Sequence, residues 1–199
     1  MTVSRMTPDN SVLFIIDVQT NLLPDIINAD RMVQRCSFMT QVAVNLNLPI
    51  IITEQVKRVF GPTHPDIAAH LPGNVPIFEK SRFSGCIDPV EARMREISRP
   101  NIIVVGMETH ICILQTTLDL LNRGNAVFLV SDAISNGEPD QIAPAFERMK
   151  QAGAILTGAV SAAYELMADA KHPAFRKCLN LVKSIRADTK SSILVQNRP

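Results

Sequence analysis

Residues 101–122 read "NIIVVGMETHICILQTTLDLLN", and the rest of the chain is best read outward from them. Ile102 to Val105 run into Gly106 with no polar alternation, the pattern of a parallel strand covered on both faces. A hinge follows, and then Ile111, Leu114, Leu118 and Leu121 recur at helical spacing before Gly124. Cys112 stands at the junction. If the helix begins near Thr109 or His110, the thiol lies in its first turn, where unpaired N–H groups and the helix dipole favour a thiolate. Periodicity alone favours a small buried hydrophobe, and it is the position at a strand-to-helix junction that raises the thiolate reading.

Other apolar runs repeat the theme at 11–18 ("SVLFIIDV"), 48–53 ("LPIIIT"), 76–78 ("PIF"), 125–131 ("NAVFLVS") and 153–157 ("GAILT"). Helical segments are expected between them. Residues 30–46 place Met32, Val33, Cys36, Met39, Val42, Ala43 and Leu46 on one stripe, and Asp88–Pro89 opens a helix over 88–98. Segments 139–152, 159–169 and 173–186 complete the series. Such alternation predicts one α/β domain over 1–199, with its core at about 10–175 and a C-terminal helix and tail over 173–199. Residues 54–76 are expected to be irregular apart from a turn or two of helix in "PDIAAHL". The terminal "SSILVQ" reads as a short strand, an arm to a neighbour or a docked tail.

Composition narrows the functions. The chain has 199 residues, 46% hydrophobic and 20% charged, and a net charge of +1, so no basic field draws nucleic acid. The first apolar stretch is short and stops at Asp17, which argues against a signal peptide or a membrane span. Cys36, Cys86, Cys112 and Cys178 are widely spaced with no CxxC pair. That points to a reducing compartment, cytoplasmic with a mitochondrial one left open. No P-loop or dinucleotide fingerprint occurs, so no cofactor is called for.

In an open parallel sheet, ligands sit beyond the carboxyl ends of the strands. The runs end in Asp17, in Thr53 and Glu54, in Glu79 and Lys80, and in Gly106 before Cys112. Asp17 alone reads as a cap or a strand-tip carboxylate, and Lys80 alone as solvated surface. Taken in order, Asp17 in "FIIDVQ", Lys80 in "FEKSRFSG" and Cys112 in "VVGMETHICILQT" resemble the Asp–Lys–Cys triad of the isochorismatase-like cysteine hydrolases. The likeness is to the eukaryotic isochorismatase domain-containing proteins and to a trypanosomatid protein once labelled a ribonuclease. It spans about residues 10–175, through "SDAISN", "AFERMKQAGA" and "DAKHPAFRK".

The resemblance implies a three-layer sandwich, with an open parallel six-stranded sheet of Rossmann-like topology and helices on both faces, and a homo-oligomer. It implies a cis peptide bond between Met107 and Glu108, and an oxyanion hole from the N–H groups of Glu108 and Cys112. In the implied mechanism Asp17 takes the Cys112 proton, Lys80 stabilises the thiolate, and sulfur attacks a small amide to form a thioester. The Cys112 thiol is then expected to ionise more readily than a free one. Gln19, Glu54, Gln55, Phe60, Phe83, Met107 and His110 are expected to line the pocket. Nicotinamidases of this superfamily carry an Asp-x-His metal pair where this chain has Glu54 and Gln55. His64 and His70 lie six apart in a loop, so no metal is inferred. The alternatives are an isochorismate-like vinyl ether hydrolase and a non-enzymatic oligomeric binding protein. The partner expected is a small molecule, not nucleic acid or membrane.

Overall fold

The computed structural model describes residues 4–196, with the side chains of the last helix described as far as Ala187. Six strands, β1 (Ser11–Ile16), β2 (Ile50–Gln55), β3 (Ile77–Lys80), β4 (Asn101–Met107), β5 (Ala126–Ser135) and β6 (Ile155–Thr157), form one parallel sheet in the order β3-β2-β1-β4-β5-β6. Every residue of β1, β2 and β4 is buried, which is why their sequences do not alternate. Neighbouring side chains instead alternate between two cores. Leu13, Ile15, Ile52, Ile103 and Val105 pack against α1 (Ala29–Asn45), α7 (Ala159–Met167) and α8 (Phe175–Gln196). Val12, Phe14, Ile16, Ile51, Ile102 and Val104 meet Val90 of α4 (Asp88–Ile97), Leu120 of α5 (Leu114–Asn122) and Met149 of α6 (Pro139–Gln151).

From β1 the chain builds outward through β2 and β3, then returns to add β4, β5 and β6 on the other side. The crevice between the ends of β1 and β4 is therefore the topological switch point, where open α/β sheets bind ligands. Gly106 sets its width. The residue has φ +122°, and a Cβ there would stand 2.1 Å from the Ile16 carbonyl oxygen. Only glycine lets β4 run this close to β1.

Three segments differ from expectation. Glu54 and Gln55 complete β2 rather than opening a loop, because they pair in register with Glu79 and Lys80 of β3. Beyond them come two one-turn helices, α2 (Lys57–Phe60) and α3 (Pro65–Ala68). Strand β5 continues past Ser131 to Ser135, since Ile134 and Ser135 still pair with Gly106 and Met107 after a register shift. Residues 191–196, "SSILVQ", are helical and not a strand. From Phe175 to Gln196 the chain offers no Gly or Pro to stop a helix, and Cys178, Val182 and Ile185 bury a stripe at its start. No helix among the described residues is long and apolar enough to cross a membrane.

Candidate active site

Asp17 follows the last residue of β1 and has φ 54°, a left-handed conformation that turns the chain out of the sheet at once. Its buried carboxylate takes the Thr53 hydroxyl on Oδ1 at 2.8 Å and Lys80 Nζ on Oδ2 at 2.6 Å. Lys80 closes β3 and is itself buried. Its ammonium also donates to Gln55 Oε1 at 2.6 Å, to the carbonyls of Arg82 at 3.1 Å and Phe83 at 3.0 Å, and lies 3.6 Å from Cys112 Sγ. The three residues named from the ends of separate runs thus meet at one point.

Cys112 arrives there by an unusual turn. The Met107–Glu108 peptide bond is cis. Residues Thr109–Ile113 then form a single π turn, with the Ile113 N–H donating to the Glu108 carbonyl at 3.1 Å, before α5 begins. The helix starts where the sequence places it, but wide rather than α-helical; isolated π turns of this kind recur at functional sites. Among the described residues no acceptor takes the Glu108 N–H. The Glu108 carboxylate faces away, accepting the Gly137 N–H at 2.9 Å.

The electrostatics correct one expectation. Burial and the Asp17 charge outweigh Lys80, and the Cys112 thiol is pushed up to about 12 rather than down. Burial likewise holds the Asp17 carboxyl above its ordinary value, although Lys80, Cys112 and Thr53 all pull it down. The helix N-terminus does not overcome removal from water, because the thiol is only 7% exposed and an anion stands beside it. Asp17 and Cys112 therefore titrate as a coupled pair beside one fixed cation, with the resting thiol protonated.

The other expected lining residues divide. Gln19 is fully buried: Nε2 donates to the carbonyls of Gln55 at 3.0 Å and Gly61 at 2.7 Å, and Oε1 accepts the Gln55 N–H at 2.6 Å. Glu54 turns to the opposite face of β2, where Oε1 accepts the Thr63 N–H at 2.7 Å and hydroxyl at 2.8 Å, and Oε2 pairs with Lys57 at 3.0 Å. Burial alone would raise its pKa, but those partners together hold it below the usual value. Met107 is packed into the core under α1. Phe60 and His110 are half-buried, and Phe83 is exposed. His64 Nδ1 accepts the Asp66 N–H at 3.2 Å and caps α3. Among the described residues no three His, Cys, Asp or Glu side chains group as metal ligands. Sequence reading missed Thr53 as a partner of Asp17 and the Arg82 and Phe83 carbonyls as partners of Lys80. Thr53, at the end of an apolar run, gave a signal; the two carbonyls gave none.

This fold matches those of known proteins. The pattern described as "Isochorismatase domain" covers residues 11–161. Isochorismatase family protein 1B of Dictyostelium discoideum is 34% identical over 188 residues, covering 92% of this chain and 91% of its own. The chain belongs to the isochorismatase family and at that level is a hydrolase. Among solved structures, the MAR1 ribonuclease of Caenorhabditis elegans superposes with a TM-score of 0.87 at 37% identity, covering 90% of this chain and 92% of that one. YcaC of Pseudomonas aeruginosa, solved with hexane-2,5-diol and covalent acrylamide, gives a TM-score of 0.85 at 25% identity over 96% of this chain and 98% of that one.

Proposed function

We propose that the protein is a metal-independent cysteine hydrolase that cleaves a small amide through a thioester on Cys112. The observation that carries this reading is the position of Lys80 Nζ, 2.6 Å from Asp17 and 3.6 Å from the thiol sulfur. A buried carboxylate with a raised affinity for protons is suited to take the Cys112 proton as sulfur closes on a carbonyl carbon. The carbonyl π pair moves onto oxygen, where the N–H groups of Glu108 and Cys112 receive it. Protonated Asp17 then delivers its proton to the amine as the C–N bond breaks. A water molecule, giving up a proton to Asp17, attacks the thioester; as the C–S bond breaks, Asp17 returns that proton to sulfur, and the acid leaves. The Lys80 ammonium faces the Asp17 carboxylate, three further oxygens and the sulfur, so it is held where the negative charge of the thiolate develops.

Covalent acrylamide in YcaC is consistent with a nucleophile on this fold. The ribonuclease named for the nematode relative would need proton carriers on both sides of a phosphate and a cationic track, and neither the net charge of +1 nor this site favours it. A homo-oligomer is in keeping with the exposed Ile155 and Leu156 on the edge strand β6.

The test is a panel of small primary amides, ureides, vinyl ethers and a short RNA, run on wild type and Cys112→Ala. Turnover of an amide or ureide, reduced at least ~10³-fold in the variant, is the expected result. Turnover that survives in Cys112→Ala, or cleavage of only the vinyl ether or RNA, overturns it.

A further inference from the structure

Gln55 holds the ammonium on which the proposed chemistry depends, although the triad pattern assigns it nothing. It ends β2 in register with Lys80 at the end of β3, so the two side chains leave the sheet on the same face. Its amide orientation follows from its partners. Nε2 donates to the Ser81 carbonyl at 2.8 Å, and a carbonyl can only accept, so Oε1 must face Lys80 Nζ, where it lies at 2.6 Å. The backbone of Gln55 is clamped in turn, with its N–H and C=O both bonded to the side chain of the buried Gln19. Every part of the residue is therefore committed. Gln19 holds the main chain, Ser81 fixes the amide, and the amide oxygen holds Lys80.

We infer that Gln55 is a positioning residue that acts through Lys80, and that it must be a neutral acceptor to do so. This rests on the hydrolase reading above. Asp17 already places one negative charge 2.6 Å from the ammonium. A carboxylate at residue 55 would place a second at a similar distance and leave less positive potential for the anion that Asp17 and Cys112 share. An apolar side chain would leave the charge intact but remove one of the oxygens that keep the ammonium within reach of sulfur. Neutrality and acceptance are separate requirements, and the amide meets both.

They can be measured separately by following alkylation of Cys112 with iodoacetamide from pH 5 to 9, residue by residue, in wild type, Gln55→Glu and Gln55→Leu. In wild type the rate rises to a plateau as the Asp17–Cys112 pair gives up the first of its two protons and shares the one that remains; loss of that second proton, with the thiol pushed up to about 12, lies beyond the range scanned. Gln55→Glu keeps the acceptor and adds charge, so its midpoint moves up by about one unit, a ~10-fold slower reaction below the midpoint, while the plateau is regained at high pH. Gln55→Leu keeps the midpoint and loses plateau at every pH. A merely structural role would lower the melting temperature of both variants and move neither the midpoint nor the plateau, and that result overturns the inference alone. If only one variant folds, its own signature still decides: a shifted midpoint in Glu or a lowered plateau in Leu supports the inference, and a wild-type curve overturns it. A wild-type Cys112 that labels no faster than Cys178 at any pH overturns both this inference and the hydrolase reading.

Discussion

Cys36 and Cys112 are built from nearly the same parts. Each is a buried thiol on a helix, each feels the charge of an aspartate, and each aspartate has a cation within 4 Å. Cys36 has Asp132 with Arg35 at 3.4 Å; Cys112 has Asp17 with Lys80 at 2.6 Å. The difference lies in what the cation reaches. Asp132 spends Oδ1 on the Ala159 N–H at the start of α7 and Oδ2 on Arg35, and the Cys36 thiol donates to the Ala133 carbonyl at 3.3 Å. Burial and the Asp132 charge then raise the Cys36 thiol together. Around Cys112 one ammonium, that of Lys80, reaches both the sulfur at 3.6 Å and the carboxylate at 2.6 Å. A thiol becomes a candidate nucleophile here by having a place for its proton and a charge for its anion, not by exposure or residue type.

Lys80→Met is the largest way to break this contrast, since it makes Cys112 resemble Cys36. It strands a buried carboxylate and is expected to cost about 3–5 kcal/mol near neutral pH. Asp17 already holds its proton more tightly when folded than when unfolded. Without Lys80 it does so more strongly, and the variant loses stability as pH rises from the unfolded carboxylate value through the folded one. Urea denaturation at several pH values should therefore show the deficit shrinking on acidification, and Cys112 labelling should fall to the level of Cys36. A deficit independent of pH would mean that Asp17 is not the stranded group.

Glu54→Gln sharpens the contrast from the other face of β2. Its carboxyl is held below the usual value, so its contribution is present above the unfolded pKa and is lost as pH falls through the folded one. The substitution should cost about 1.5–3 kcal/mol at pH 7, with the gap to wild type closing below about pH 4. Cys112 labelling should be unchanged. A collapse of labelling would show that the loop stapled by Glu54 reaches the thiol. The smallest effect is expected from Glu108→Ala, about 1 kcal/mol from the lost bond to the Gly137 N–H, with labelling and turnover within about twofold of wild type. A large loss of turnover would place that carboxylate on substrate.

Much of the frame was legible because continuous apolar runs report strands covered on both faces, and Asp17, Lys80 and Cys112 each end or follow such a run. Their meeting was legible only through the family likeness, since no local spacing joins β1, β3 and the turn after β4. The Gln55–Lys80 bond was hidden for a related reason: it depends on the register of β2 against β3, which in a parallel pair is set by a crossover and not by a short turn. The raised Cys112 pKa escaped sequence reading because the depth of burial is a property of the whole assembly. Of the readings of 191–196 only the strand fails, because β-branched and aliphatic residues suit a strand until a preceding helix has no reason to stop.

Gly106 fixes how finely this arrangement is gauged. At 2.1 Å the Ile16 carbonyl oxygen would lie inside any carbon added to Gly106, so the spacing of the two strands that deliver Asp17 and Cys112 is set by main chain against main chain. Side chains around a pocket can adjust by rotating; this boundary has no rotamer to change. A single methyl group there would act as a wedge, pushing Asp17 and Cys112, the proposed base and nucleophile, apart without changing either residue. The tolerance of the site is therefore less than one carbon atom, and it is held by a residue that has no side chain.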